Sequence, residues 1–205
     1  MRHPDQAAAV AALGADAIGV IAVPSSPRFV PPEARQAVFA AARSGAAGCQ
    51  GVLVVADPGD DQLPELDAQR GHRVVQLHGS ESPQRCRQLR ERSGCLVWKA
   101  LRLRRPHDLQ SLAAYADAVD ALLLDAWVPD QLGGTGHAIP LDWLEGWAAP
   151  LPWWLAGGIR AERVAELLAR LSPTGLDASS GVEAAPGEKD LAKVEALLKA
   201  VGRSA

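Results

Sequence analysis

The sequence predicts an α/β fold built on one parallel sheet, and three observations carry that reading. Short apolar runs alternate with helical patterns from one end of the chain to the other, the signature of parallel strands joined by covering helices. The runs themselves, such as Val52-Leu53-Val54-Val55 and Leu122-Leu123-Leu124, are apolar at successive positions rather than at every second one, as expected of strands buried on both faces. No composition break, low-complexity linker or short repeat divides the 205 residues, so the chain, 1–205, reads as one domain.

Each element has a local reason. Pro4 in the first turn of an alanine-rich stretch, with Gly14 behind it, predicts a helix over 4–13. A buried strand follows over 16–23, and Pro32-Glu33 opens a helix to about residue 43. The next strand is 51–56, followed by a weakly patterned, helix-like stretch over 57–71. Then come a strand over 74–78, a helix over 83–92, a strand over 96–101 and a helix over 107–116. Asp120-Ala121 and the three leucines make a strand that emerges into a loop at Asp125. The strand 153–156 runs into Gly157-Gly158, a helix covers 161–171, a short strand covers 176–178, and a helix over 188–201 closes the chain. That gives seven strands, each followed by a helix or helix-like stretch, with one orphan helix in front. A closed (β/α)8 barrel needs one strand more, so the count reads as a barrel without its first strand.

Bulk properties narrow the partners. A net charge of −3 and the lack of a long basic run argue against nucleic acid or a membrane surface. An anionic small molecule fits, because backbone donors and one or two arginines suffice to hold it. The three cysteines, Cys49, Cys86 and Cys95, have neither metal-ligand nor CxxC spacing, and their odd number fits a reducing compartment. The first residues lack the basic and apolar regions of a secretion signal, and no apolar run reaches membrane-spanning length. A soluble, cytoplasmic protein is expected.

Two features point to chemistry. Asp125 puts an acid at a strand exit, where α/β proteins keep their sites, although an acid there serves equally well as a helix cap. Gly157-Gly158 and Ser179-Ser180-Gly181 follow the last two strands, where barrels bind phosphate through backbone N–H groups; tight turns alone are the plainer reading.

The segments at the strand exits, taken together, are more specific. Gly14-Ala15-Asp16-Ala17-Ile18-Gly19, Ser25-Ser26-Pro27-Arg28-Phe29-Val30, Val75-Gln76-Leu77-His78-Gly79, Leu124-Asp125 with Gly133-Gly134-Thr135-Gly136, Leu155-Ala156-Gly157-Gly158 and Asp177-Ala178-Ser179-Ser180-Gly181-Val182-Glu183 occur in family order. Over nearly its whole length the chain resembles the phosphoribosylanthranilate isomerases. The resemblance implies a (β/α)8 barrel that converts N-(5-phosphoribosyl)anthranilate to 1-(2-carboxyphenylamino)-1-deoxyribulose 5-phosphate in tryptophan biosynthesis, without cofactor or metal.

The same resemblance implies roles. Asp125 matches the general acid that protonates the furanose ring oxygen, and a low-dielectric strand exit raises its pKa in the required direction. Arg28, stiffened by Pro24 and Pro27, matches the arginine that holds the anthranilate carboxylate; as residue types go, it also reads as a surface arginine. His78 matches a histidine lining the site, with a positioning role, and reads equally as a core histidine. Asp177 is implied to hold the anthranilate amine or the sugar hydroxyls. Gly157, Gly158, Ser179, Ser180 and Gly181 are the implied phosphate cradle, and Gly133, Gly134, Thr135 and Gly136 a flexible loop able to fold over the ligand. Asp142-Trp143 matches the family's next segment, whereas His137-Ala138-Ile139-Pro140 departs from it. Trp127, Trp147, Trp153 and Trp154 read as packing residues.

One family part is absent from these residues. The general base is a cysteine in a KxCGxT-like segment ending the first strand, and alignment places Met1 directly after its Cys-Gly pair. Cys49 and Cys95 precede their strands and so belong to the opposite face, and Cys86 sits on an outer helix; none is expected to reach the substrate. Either the start was assigned downstream of that pair, or the base is lost and the chain is a phosphosugar-binding protein without turnover or one with another base. Two related barrels fit less well. Indole-glycerol-phosphate synthase needs lysine and glutamate groups at several exits where Lys99 stands alone, and the histidine-pathway isomerase needs a half-barrel repeat that is not seen. Oligomeric state cannot be read from the sequence.

Overall fold

The computed structural model describes residues 1–126 and 138–202. Seven strands form one parallel sheet in chain order: β1 (Ala17–Ile21), β2 (Gln50–Val55), β3 (Val74–Leu77), β4 (Leu96–Leu103), β5 (Ala121–Ala126), β6 (Trp153–Leu155) and β7 (Gly175–Leu176). Helices α1 (Pro4–Ala12), α2 (Pro32–Gly45), α3 (Pro83–Ser93), α4 (Ala161–Arg170) and α5 (Leu191–Ala200) cover it. Register runs without a break from Ala17 opposite Gln50 to Leu155 opposite Leu176.

Side-chain alternation along each strand sorts residues into two layers. Val20, Leu53, Val75, Leu77, Val97, Leu122, Leu124 and Leu155 face the helices and join the main core with Val38, Phe39, Leu89 and Leu167. The opposite parity faces the barrel interior. There Val52, Val54 and Val74 cluster with Trp98, and Ala100, Leu123 and Ala156 cluster with Trp154. Trp98 and Trp154 stack at 4.7 Å between ring centroids. Trp154 therefore lines the central cavity as well as packing, while Trp147 and Trp153 make an edge contact outside it.

Among the described residues β1 and β7 are the two ends of the sheet and do not pair with each other. The slot between them opens into the interior and is bordered on the helix side by Val10 of α1 and Leu197 of α5. The Met1 nitrogen donates to Gly19 O of β1 at 2.6 Å. Among the described residues the architecture is an α/β barrel of seven parallel strands, with a gap between β1 and β7.

Four predicted elements change. The 107–116 helix is a 3-10 helix over Pro106–Tyr115, its start fixed by Asp108, whose carboxylate accepts from the Arg104 and Arg105 N–H groups. The helix-like 57–71 stretch is two short 3-10 turns, Asp60–Glu65 and Ala68–Arg70. The last helix starts at Leu191, where Asp190 accepts from the Ala192 and Lys193 N–H groups. Glu188–Lys189 instead pairs antiparallel with Glu183–Ala185 as a small hairpin, β8 and β9. Pro186-Gly187 is its turn, a dipeptide signal present in the sequence. The short strand ends at Leu176, which leaves Asp177 and Ala178 in the exit loop.

The core makes a quantitative expectation. Leu122 is fully buried in the helix-facing layer, so Leu122→Ala lowers unfolding free energy by about 2–5 kcal/mol, whereas Leu191→Ala, on an exposed side chain, stays within about 0.5 kcal/mol. Chemical denaturation of both variants measures the contrast.

Candidate active site

Inward parity brings Gln76, His78, Asp125 and Asp177 to the interior at the strand exits, since each stands an even number of residues from an interior-facing neighbour on its own segment. They line one cavity of about 450 Å³ together with Arg28, Gly157, Gly158, Ser179, Ser180 and Gly181. Every expected site residue within the described residues is therefore on a single wall system. Gly133, Gly134, Thr135 and Gly136 lie outside the described residues, as do Trp127 and His137.

Asp125 is 5% exposed at the end of β5, and its Oδ1 accepts from the Ala126 N–H at 2.8 Å. Burial pushes its carboxyl up to about 6, Asp177 adds to the push, and the Ala126 N–H and Arg102 oppose it. At pH 7 roughly one molecule in ten holds the proton. Asp177 is exposed on the cavity wall, yet the protein around it raises its carboxyl by desolvation, and Lys189 and the Met1 ammonium oppose the rise. His78 goes the other way. Burial, then Lys99 and Arg102, lower it to about 4, so the imidazole is neutral although its Nε2 stands 3.7 Å from Asp125 Oδ2. The proton of this pair belongs to the acid, and no ion pair forms.

Arg28 is held where the sequence could not show. The loop after β1 folds back, with Val30 N–H donating to Ile21 O at 2.9 Å and Arg28 N–H to Ser26 Oγ at 3.2 Å. Its guanidinium then meets Glu183 in a two-pronged pair: Nε lies 3.0 and 3.1 Å from the two carboxylate oxygens, and Nη2 lies 2.6 Å from Oε2. Lys189 Nζ donates to Glu183 Oε1 at 3.3 Å and to Ser179 O at 3.1 Å. Burial alone would raise Glu183, but Arg28 and Lys189 outweigh it and keep the carboxylate below its ordinary value. Among the described residues Glu183 engages the Nε and Nη2 side of Arg28, and the Nη1 hydrogens point to neither of its oxygens within hydrogen-bond distance. Glu183 stands in the quoted Gly181-Val182-Glu183 segment, but its partner is 155 residues away and Lys189 was read as helix.

The two turns after the last strands are tight and close to each other. Gly157 and Gly158 have φ of 85° and 62°, a backbone region that favours glycine. A side chain at Gly181 would collide with Ile159 O, so only glycine lets the two turns come this close. The cysteines stand elsewhere. Cys49 and Cys95 precede β2 and β4, Cys86 lies on α3, none borders the cavity, and burial pushes each thiol up to about 11. Among the described residues no group of His, Cys, Asp or Glu has the arrangement of a metal site. No helix among them is long and apolar enough to cross a membrane.

A parallel α/β barrel with a high-pKa acid at a mid-sheet exit and paired glycine-rich turns after its last strands has the site of a barrel enzyme acting on a small anionic ligand. Residues 1–200 match the family model described as N-(5'-phosphoribosyl)anthranilate isomerase, and the chain belongs to that family. The relative of that name from Rippkaea orientalis is 45% identical over 197 residues, covering 96% of this chain and 90% of its own. That from Synechocystis is 46% identical over 202 residues at the same coverage. Among solved structures, the Thermotoga maritima phosphoribosyl anthranilate isomerase superposes with a TM-score of 0.87 at 27% identity, covering 99% of this chain and 96% of that one. The Thermus thermophilus protein gives 0.79 at 34% identity, covering 98% and 95%.

The raised Asp125 carboxyl has a stability consequence. Its folded pKa of about 6 lies above the unfolded value, so folding takes up a proton between the two; the group favours the fold below about pH 4 and loses that contribution as pH rises through 6. Asp125→Asn is expected to be more stable than the parent by about 2–3 kcal/mol at pH 8, with the gap closing below pH 4. Denaturant unfolding at both pH values measures it.

Proposed function

We propose that this protein isomerises N-(5-phosphoribosyl)anthranilate to 1-(2-carboxyphenylamino)-1-deoxyribulose 5-phosphate, the tryptophan-biosynthetic step of its family, with the whole chain acting as one unit in the cytoplasm. The observation that carries the reading is a carboxyl pushed up to about 6 in the same cavity as a fixed arginine and two glycine-rich turns. Those three features answer the three groups the substrate carries: a ring oxygen to protonate, a carboxylate and a phosphate.

In this reading the phosphate sits on backbone N–H groups of Gly157-Gly158 and Ser179-Ser180-Gly181. Arg28 takes the anthranilate carboxylate through Nη1. Asp125 gives its proton to the furanose oxygen, the bond from that oxygen to C1 breaks, and the nitrogen lone pair closes a C1–N iminium. A base then removes the proton on C2, the electrons of that C–H bond form the enolamine, and protonation at C1 with loss of the C2 hydroxyl proton leaves the ketone at C2. Asp177 holds the amine or the sugar hydroxyls. A solved relative with a TM-score of 0.79 and 25% identity is described in complex with reduced 1-(o-carboxyphenylamino)-1-deoxyribulose 5-phosphate. The partner is this small molecule, with neither nucleic acid nor a membrane required.

The base must stand across the sugar from Asp125. The slot between β1 and β7 supports its placement: a strand seated there and ending in a cysteine would deliver a thiolate into the cavity, whereas the thiols of Cys49, Cys86 and Cys95 are all pushed up to about 11 away from it. A tryptophan auxotroph lacking this step is the test. The chain extended upstream by a strand ending in Cys-Gly is expected to rescue growth and residues 1–205 alone are not; rescue by the latter sinks the missing-base reading, and rescue by neither favours a binding protein without turnover. In the active form Arg28→Ala is expected to raise KM at least about tenfold, read from steady-state kinetics.

A further inference from the structure

Gln76 and His78 are separated by one residue on and just beyond β3, so both face the interior. Each is buried, at 6% and 7% exposure. Gln76 Nε2 lies 3.3 Å from His78 Nδ1. The other ring nitrogen, Nε2, has no hydrogen-bond partner; it shares that state with only the Nδ1 of His72 among the buried side-chain nitrogens and oxygens described. It borders the cavity, 3.7 Å from Asp125 Oδ2.

A carboxamide nitrogen has only hydrogens to offer. Nδ1 must then present its lone pair to Gln76, and the single proton of the neutral ring sits on Nε2. We propose that Gln76 is a positioning residue that fixes His78 as the neutral Nε2–H tautomer, aimed as a hydrogen-bond donor at the sugar oxygens beside Asp125. The proposal rests on the isomerase reading and deepens it.

The tautomer matters because of what the alternative would do. If Nε2 carried the lone pair, it would accept a hydrogen bond from protonated Asp125 across the short gap and hold that hydrogen toward the ring, away from the sugar. The acid would then be engaged by the ring when the substrate arrived. With hydrogen on Nε2, the proton of Asp125 has no resident acceptor on that side and goes to the ring oxygen; the carboxylate left behind faces an N–H instead of a lone pair. The charged groups around the ring act in the same sense. Lys99 and Arg102, both on β4, disfavour the imidazolium along with burial, and Asp125 on β5 is the one carboxyl within 4 Å of Nε2 among the described residues. Lys99 is itself fixed, its Nζ donating to Leu77 O, Gly79 O and Glu81 Oε2.

Nitrogen-15 NMR of the histidine ring in residues 1–205 reads the tautomer directly, without turnover. The parent is expected to show protonated Nε2 and unprotonated Nδ1 at His78. Gln76→Glu places an acceptor at Nδ1, and is expected to move the proton there and raise the His78 pKa. In the form that turns over, the same variant is expected to lower kcat about a hundredfold with KM within about threefold, and to shift the acidic limb of the pH profile. Gln76→Met, which has no group to set the tautomer, should show both tautomers and a smaller kcat loss, and it serves should Gln76→Glu fail to fold. A parent ring protonated at Nδ1 overturns the proposal, as does a switched tautomer with unchanged kcat. Absence of turnover in every form counts against the isomerase reading, and the parent tautomer still decides this one.

Discussion

A buried ion pair, Lys99 with Glu81, ties the strand exits on which this site is built. Lys99 leaves β4 on the helix-facing side, and its ammonium, 1% exposed along its side chain, reaches Glu81 at 2.8 Å. The same ammonium holds Leu77 O and Gly79 O, and the other Glu81 oxygen takes the N–H groups of Asp57 and Gly79. Tyr115 closes the set from the 3-10 helix by donating to Glu81 O. A pair this deep stabilises only if its remaining donors and acceptors are met, and here they are met by backbone groups of the loops after β2 and β3. His78 is between two of the carbonyls it gathers, so the ring inherits its place from a clamp outside the cavity.

The site works by separating groups of one chemical kind through their surroundings. Asp125 and Glu183 are both buried carboxyls bordering one cavity, yet the first is raised and the second held low. Desolvation acts on both. The difference is that Glu183 has Arg28, Lys189 and the Gly187 N–H around it, whereas Asp125 has the Ala126 N–H and a neutral ring close by, with Asp177 raising it and Arg102 only partly opposing the rise. One carboxyl is built to carry charge and the other to carry a proton.

Much of this was legible in the chain, for a reason of period. Consecutive apolar residues in β2, β3 and β5 announce strands covered on both faces, and such strands put their ends, and the polar residues there, at one rim. Asp125, His78 and the two glycine-rich turns could be found that way, because each is defined by its distance from its own strand. Glu183 with Arg28, and Lys99 with Glu81, could not; their meaning lies in partners 155 and 18 residues away, and pairing across a barrel leaves no local mark. Gln76 had a signal, its spacing of two from His78, but which ring nitrogen it addresses needs coordinates. Glu188 and Lys189 look helical by composition, and lose to a Pro-Gly turn that pairs them backward onto Glu183–Ala185.

The arrangement around Arg28 bears on how a ligand would be met. A long cationic side chain left to itself samples many rotamers and must surrender that freedom on binding, commonly about 0.5–1.5 kcal/mol for such a group. Glu183 removes that freedom beforehand, with an anion that never leaves. If this corner takes a carboxylate, as proposed, its guanidinium is already in place before the ligand arrives. A ligand without a carboxylate would also find the guanidinium already half satisfied, so it is turned away by lacking something to gain rather than by repulsion.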